Sequence, residues 1–264
     1  QDFRELKANR KRAYKRLVDL IELQKLGKNS KLEAKFAKIR RKKSKKKTIH
    51  MTPNANFLIL LSPSKSQDFN SLQEGIPFQT PEFLLETQEL VQVLQSKNPE
   101  ELAQLMSISE KLAHLNFERF QTFQTNFTKN NAKPALFAFT GDVYNSFDLN
   151  LYGQSDLEYA SKHLRIISGL YGLLDPLDVI QPYRLEMKTK KKKKKGTNLY
   201  QFWGNRLTQT IQDLNPDYII NLASVEYSKA INLDLFKGRV ITPVFLKENA
   251  NGELKNIAIY AKKA

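Results

Sequence analysis

The chain has 264 residues and no cysteine, which excludes disulfides, thiol catalysis and thiolate metal sites. At 41% hydrophobic it can bury a core, and its longest apolar runs, such as FLILL at 57–61, are too short to span a bilayer. The net charge of +16 is uneven: residues 1–50 carry nineteen Lys and Arg against five Asp and Glu, or +14, and residues 51–264 only +2.

Residues 1–26 show helical spacing, with Phe3, Leu6, Arg10, Ala13, Leu17 and Leu20 on one stripe and Gly27 as a stop. Ser30 and Glu33 have capping-box spacing and open a second predicted helix, followed by RRKKSKKK at 40–47. This is a basic helical appendage. It reads either as a solvated tail or as an arm for RNA and other phosphate polymers.

Composition changes at Met51, where a second domain, 51–264, is expected. FLILLSP is a short buried-strand pattern. Pro81–Gln95 is an amphipathic helix, a second helix follows Asn98 with Pro99 at its first position, and a third runs from Ser109 to Phe120. ALFAFTG at 135–141 reads as a strand. Ser155 and Glu158 form another capping box, opening a predicted helix that carries Tyr159, Leu164 and Ile167. Thr197–Leu214 reads as helix and DYIINLAS at 217–224 as strand. Two last strands, RVITPVFLKE and ELKNIAIYAKK, flank the turn signal Asn251-Gly252. The pattern predicts an α/β (α+β) domain with a mixed sheet and surrounding helices. A first residue of Gln, and a last strand that stops at Ala264, suggest a fragment or a fusion.

SGLYG at 168–172 places two glycines between an apolar helix-like run, DLEYASKHLRII, and a Pro-started run, PLDVI. This fits a helix–hairpin–helix, in which Ser168, Gly169, Leu170, Tyr171 and Gly172 present backbone N–H groups to a phosphate. An ordinary turn between two helices fits equally well. Asp175 stands where such motifs often carry Lys or Arg, and suits a cap. In PYRLEM, Arg184 and Glu186 share a face if the segment is extended; Arg184 could grip phosphate or pair with Glu186. Arg165, Lys65, Lys190 and Lys192 add positive charge, the last two from the run Lys188–Lys195.

Three further stretches follow predicted strands, where ligand-facing residues often sit. GDVY holds Asp142 and Tyr144. NLASVEY holds Asn221, Ser224 and Glu226. SPSK holds Lys65. Each has a plain alternative, since Asp142 suits a turn and Ser224 a helix cap. No P-loop, GxGxxG, GxSxG or HExxH occurs, and His50, His114 and His163 are scattered. No metal site or cofactor is expected.

Taken together, FLILLSPSK, ISEKLAHLNFERF, FTGDVYNSF, HLRIISGLYGLLDPLDVIQPYRLEM, NLYQFWG, INLASVEY, TPVFLKE and YAKKA resemble the YaaA family of bacterial peroxide-stress proteins over about residues 55–264. The resemblance implies a cytoplasmic protein of mixed α/β fold. It implies binding of double-stranded DNA through a helix–hairpin–helix and a basic cleft, and a limit on iron-driven oxidative damage; it implies no reaction. Residues 1–50 have no counterpart in the family, and a C-terminal segment that members carry past YAKKA is absent here. A monomer without membrane partners is expected. Two other readings stay open: an enzyme using Lys65, Asp142, Arg184 and Glu226 in the same cleft, and an RNA- or ribosome-binding arm on a passive domain.

Overall fold

The computed structural model describes residues 55–70, 75–189, 198–244, 246–248 and 254–256. The chain divides at Pro53 and Asn54, and these residues belong to the second unit. The predicted helices of the appendage, His50, Lys190 and Lys192, and the turn at Asn251-Gly252 lie outside the described residues.

Among the described residues the main sheet has five strands. β1 (Phe57–Leu61) is central, between β3 (Leu164–Ser168) and β6 (Tyr218–Asn221), and both neighbours are parallel to it. β7 (Arg239–Ile241) extends the sheet in parallel beyond β6, and β4 (Gly172–Leu174) closes the other edge antiparallel to β3. A continuous apolar run such as FLILL suits a parallel strand covered on both faces. Two short strands, β2 (Lys133–Pro134) before β3 and β5 (Val179–Ile180) after β4, pair antiparallel with each other in a separate sheet. β8 (Leu246–Glu248) and β9 (Leu254–Asn256) form the expected final antiparallel pair.

The helices follow from capping as much as from periodicity. α1 (Leu84–Gln95) and α2 (Pro99–Met106) each pack on α3 (Glu110–Gln121). Asn98 opens α2 as a full capping box: its side chain accepts from Glu101 N at 2.8 Å, and Glu101 accepts from Asn98 N at 3.2 Å. α5 (Gln154–His163) packs on β1 and β3, and its cap is Gly153 with Asp156, two residues earlier than the Ser155–Glu158 pair expected. The expected helix 197–214 is broken at Gly204 into α6 (Leu199–Trp203) and α7 (Arg206–Leu214), where Gly204 takes φ +50 and ψ −127. ALFA, expected as a strand, is a single helical turn, α4 (Ala135–Ala138), and α8 (Val225–Ser228) is another short turn after β6.

The helix–hairpin–helix is replaced by a β-hairpin. Leu164–Ser168 is strand rather than helix, Gly169–Tyr171 is a three-residue loop, and Ser168 faces Gly172 across the ladder. The whole loop is core: Ser168, Leu170 and Tyr171 have no solvent exposure. Its backbone groups are used internally. Ser168 Oγ accepts from the N–H groups of Leu170 and Tyr171, Trp203 Nε1 donates to Gly169 O at 3.1 Å, and Thr87 Oγ1 donates to Leu170 O at 3.1 Å. No phosphate reaches this loop in the folded chain, because α1, α6 and the segment 183–187 cover it. Asp175 caps no helix; it accepts from Ser161 Oγ and Leu177 N and pairs with Arg165.

Candidate functional site

The chain passes from β1 to β3 on one side and only later to β6 on the other. A sheet that reverses in this way leaves a crevice past the C-terminal strand ends, the place where open α/β sheets bind ligands. Here that edge is laced by hydroxyls. Ser62 and Ser224, just past β1 and β6, are 3.2 Å apart at their Oγ atoms, and Ser224 N donates to Ser62 Oγ at 2.9 Å. Ser224 stands at the start of α8 but makes no side-chain cap, because its hydroxyl is spent on Ser62. Tyr144 OH donates to Ser62 O at 2.8 Å.

A narrow cleft, with room for about 10 Å³ of solvent, opens beside this lacing. Ser64, Lys65, Gln67, Tyr183, Arg184 and Glu186 line it, with Tyr227 at its rim. Gln67 ties the β1 loop to the opposite wall by accepting from Tyr183 N at 3.1 Å. Residues 183–186 run without helix or turn and a turn follows at 187–188, and together they bring Arg184, Glu186 and Lys188 side by side. Glu186 is the hub. Its Oε1 meets Lys65 Nζ at 3.0 Å and Arg184 Nη2 at 2.9 Å, and its Oε2 meets Lys188 Nζ at 3.0 Å. Glu226 extends the ring: it accepts from Lys188 N at 3.2 Å and faces Lys188 Nζ at 3.8 Å. Glu226 is placed in turn by Tyr200, whose OH donates to the Glu226 carbonyl at 2.8 Å.

Charge and burial act in opposite directions on the hub. Burial pushes the Glu186 carboxyl up, but hydrogen bonds from Lys65, Lys188 and Arg184 outweigh it and bring it down to about 2. Glu186 is therefore ionised throughout the physiological range. The Glu186 carboxylate holds the Lys188 ammonium above its usual range, with Glu226 adding to it. Burial first, then the neighbouring phenol of Tyr183, raises the phenols of Tyr144 and Tyr227, so both remain neutral. Lys65 and Lys188 are 61% and 62% exposed, whereas the Glu186 side chain is 10% exposed. The cations thus line the mouth while the carboxylate that holds them lies below.

The structure brings Lys65, Arg184, Glu186 and Glu226 into one cluster. It takes others elsewhere. Arg165 is mostly covered and pairs with Asp175 Oδ2 at 3.1 Å, its guanidinium also donating to Ser161 O and Leu164 O. Ser168 to Gly172 lie in the core, as described. Asn221 is buried, its Oδ1 accepting from Ala223 N. Tyr144 is buried against Ser62, and Asp142 is exposed and does not line the cleft. Lys188 was legible as part of a basic run; Tyr183, Gln67 and Tyr227 were not singled out. The alternation PYRLEMK was the available signal for the ring, and nothing in the sequence marked Tyr183.

The family described as peroxide stress protein YaaA matches residues 57–264. Over 210 residues the chain is 50% identical to a UPF0246 protein of Acaryochloris marina, an alignment covering 79% of this chain and 82% of that protein. It is 46% identical over 212 residues to UPF0246 proteins of Aliivibrio fischeri and Shewanella baltica, with the same coverage.

Proposed function

The chain belongs to the YaaA family of peroxide stress proteins, and on that footing we propose that it binds duplex DNA through the cation-lined cleft and thereby limits iron-driven oxidative damage. The observation that carries this reading is the ring itself: Lys65, Arg184 and Lys188 gathered on one carboxylate at the ligand edge of the sheet. Exposed ammonium groups fixed in position suit phosphate contacts, which orient a protein on DNA without reading its sequence. With no cysteine, peroxide protection by thiol oxidation is closed to this chain.

The test uses the chain from Met51 onward beside the full chain, because residues 1–50 carry +14 of the +16 and would mask the cleft. Duplex affinity is measured against salt. Lys65→Ala and Lys188→Ala are each expected to weaken binding for all sequences alike and to reduce the salt slope by about 0.9. Slopes equal to that of the parent in both variants would remove the cleft from the DNA contact. A second reading, an enzyme in the same cleft, draws on the meeting of Lys65, Arg184, Glu186 and Glu226. Turnover of a small phosphate ester, abolished in Glu186→Gln, would favour it over DNA binding.

A further inference from the structure

The ion ring is built around a carboxylate. Among the described residues three cations meet Glu186: Lys65 Nζ at 3.0 Å and Arg184 Nη2 at 2.9 Å on Oε1, and Lys188 Nζ at 3.0 Å on Oε2. Glu226 takes a second hold on Lys188, accepting from its N–H at 3.2 Å and facing its Nζ at 3.8 Å. Arg184 shows which partner the arrangement favours. Its guanidinium turns Nη2 to Glu186 and leaves Nε buried with no partner among the described residues. Native proteins leave few buried donors unmet, so the bond to Glu186 is kept at the expense of Nε.

The place an incoming anion would take is already filled. The cleft beside Arg184 has room for about 10 Å³ of solvent, roughly one water. Negative charge is supplied there by the chain itself. The Glu186 side chain is 10% exposed, whereas Lys65 and Lys188 are 61% and 62% exposed. Both ammonium groups are therefore open to a macromolecule outside, yet each is drawn inward and partly neutralised. Burial pushes the Glu186 carboxyl up, but hydrogen bonds from Lys65, Lys188 and Arg184 bring it down to about 2, so the hold persists at every physiological pH.

We propose that Glu186, seconded by Glu226, is a built-in competitor for the phosphates of a nucleic acid: a counter-anion that holds back Lys65 and Lys188 and lowers the affinity of the face on which they stand. The proposal rests on the reading of these cations as the DNA contact and names what restrains it. A phosphate that engages either lysine must share or replace a carboxylate bond already made, so each contact contributes less than a free ammonium would. A lone phosphate gains little from that exchange. A duplex, which presents many phosphates at once, offsets it by number.

The experiment uses the full chain and an intact duplex, with affinity measured against salt. Residues 1–50 are common to all variants and cancel in the comparison. Glu186→Gln keeps the shape and removes the charge. It is expected to bind about fivefold more tightly, the upper range for an exposed ion pair, with a salt slope steeper by about 0.9 for each lysine released. Glu226→Gln, which loosens Lys188 alone, is expected to gain about twofold. Asp213→Asn is the control for net charge, since Asp213 lies where α7 leads into the start of β6, whereas Glu226 follows the end of that strand. Adding Lys65→Ala to Glu186→Gln should remove much of the gain. Trp203 emission checks that each variant folds, and should Glu186→Gln not fold, Glu226→Gln decides against the same control. Binding no tighter than that of Asp213→Asn would overturn the proposal, as would a gain undiminished in the double variant. The reading of the cations as the DNA contact is scored apart, by Lys65→Ala alone. A weakened duplex there, with no gain in Glu186→Gln, leaves that reading standing and sinks this one. Lys65→Ala equal to the parent, with a gain in Glu186→Gln that the double variant loses, does the reverse.

Discussion

Gly172 lies against the indole of Trp203, so closely that a Cβ on residue 172 would stand 2.7 Å from Cζ3 and 2.9 Å from Cη2 of the ring. The same Cβ would meet Leu207 Cδ2 at 3.0 Å, and the backbone there has φ +74. Glycine is required at this position for packing as well as for conformation. Gly172→Ala is expected to cost about 2–4 kcal/mol, from backbone strain and overpacking together. Trp203 is the only tryptophan of the chain, so its fluorescence reports the change directly. A melting temperature within a degree of the parent, with unchanged emission, would show that the indole yields freely.

Arg165 gives the contrasting case. Its ion pair with Asp175 and its bonds to Ser161 O and Leu164 O tie α5 to the β3–β4 hairpin. Arg165→Ala leaves a mostly covered Asp175 without its cation. The expected loss is about 1–3 kcal/mol of stability, with affinity for intact duplex unchanged within about twofold, since a site away from the phosphate contacts adds nothing to binding. Denaturant unfolding and a DNA titration on the same preparation check both halves. A drop in affinity at parental stability would return Arg165 to the DNA surface.

Asp178 supplies a pH signature. Burial raises its carboxyl to about 8; the Asp175 N–H pulls it back, the Asp175 carboxylate adds to the rise, Arg165 opposes it and Glu82 adds a little more. The folded chain thus keeps a proton that the unfolded chain, with an ordinary Asp near 3.9, has released. Between about pH 4 and pH 8 the folded state binds more protons, so this group's contribution to stability falls as pH rises. Asp178→Asn keeps an oxygen for the Asp175 N–H, 2.8 Å away in the parent, and removes the titration. The variant should be more stable than the parent at pH 8, with the gap closing towards pH 4. Parallel curves across that range would assign the pH dependence elsewhere.

Glu186 predicts the opposite slope. Its folded value of about 2 lies below an ordinary Glu near 4.3, so its contribution is present above about pH 4.5 and lost as pH falls towards 2. Glu186→Gln is expected to be less stable than the parent at pH 7 and to approach it as the pH is lowered to 3. Urea unfolding at intervals from pH 7 to pH 3 measures the gap. A difference that stays constant would mean that the ion ring contributes nothing as a set of charges.

The parts of the fold legible in the sequence were those specified locally. FLILL declares a buried strand by composition, and Asn98, Pro99 and Glu101 declare the start of α2 by chemistry that needs no tertiary partner. The stretch around SGLYG was misread because its apolar run suits a helix or a strand equally well. What decides it is β1, to which Leu164 to Ile166 pair in parallel, and Trp203, which closes over Gly172. Neither is a neighbour in the chain. In the cleft, Arg184 and Glu186 were legible as residues two apart on an extended segment, and Lys65 as the cation after β1. Tyr183 was not, because its place beside Ser168, fifteen residues away, is made by the folding of the β3–β4 hairpin.

The position of β1 has a cost during synthesis. Its registration with β6 begins where Asn56 N meets the carboxylate of Asp217, across 161 residues of chain. At about 5–20 residues per second, the nascent chain carries its most apolar strand for roughly ten to thirty seconds before that partner leaves the ribosome. For the first two thirds of this interval FLILL has no neighbour in its sheet, β3 and β4 then supply one flank, and the cleft lacks Glu226 to the end. The cleft is therefore completed late, and the unpaired strand is the segment that a chaperone would be expected to hold in the meantime.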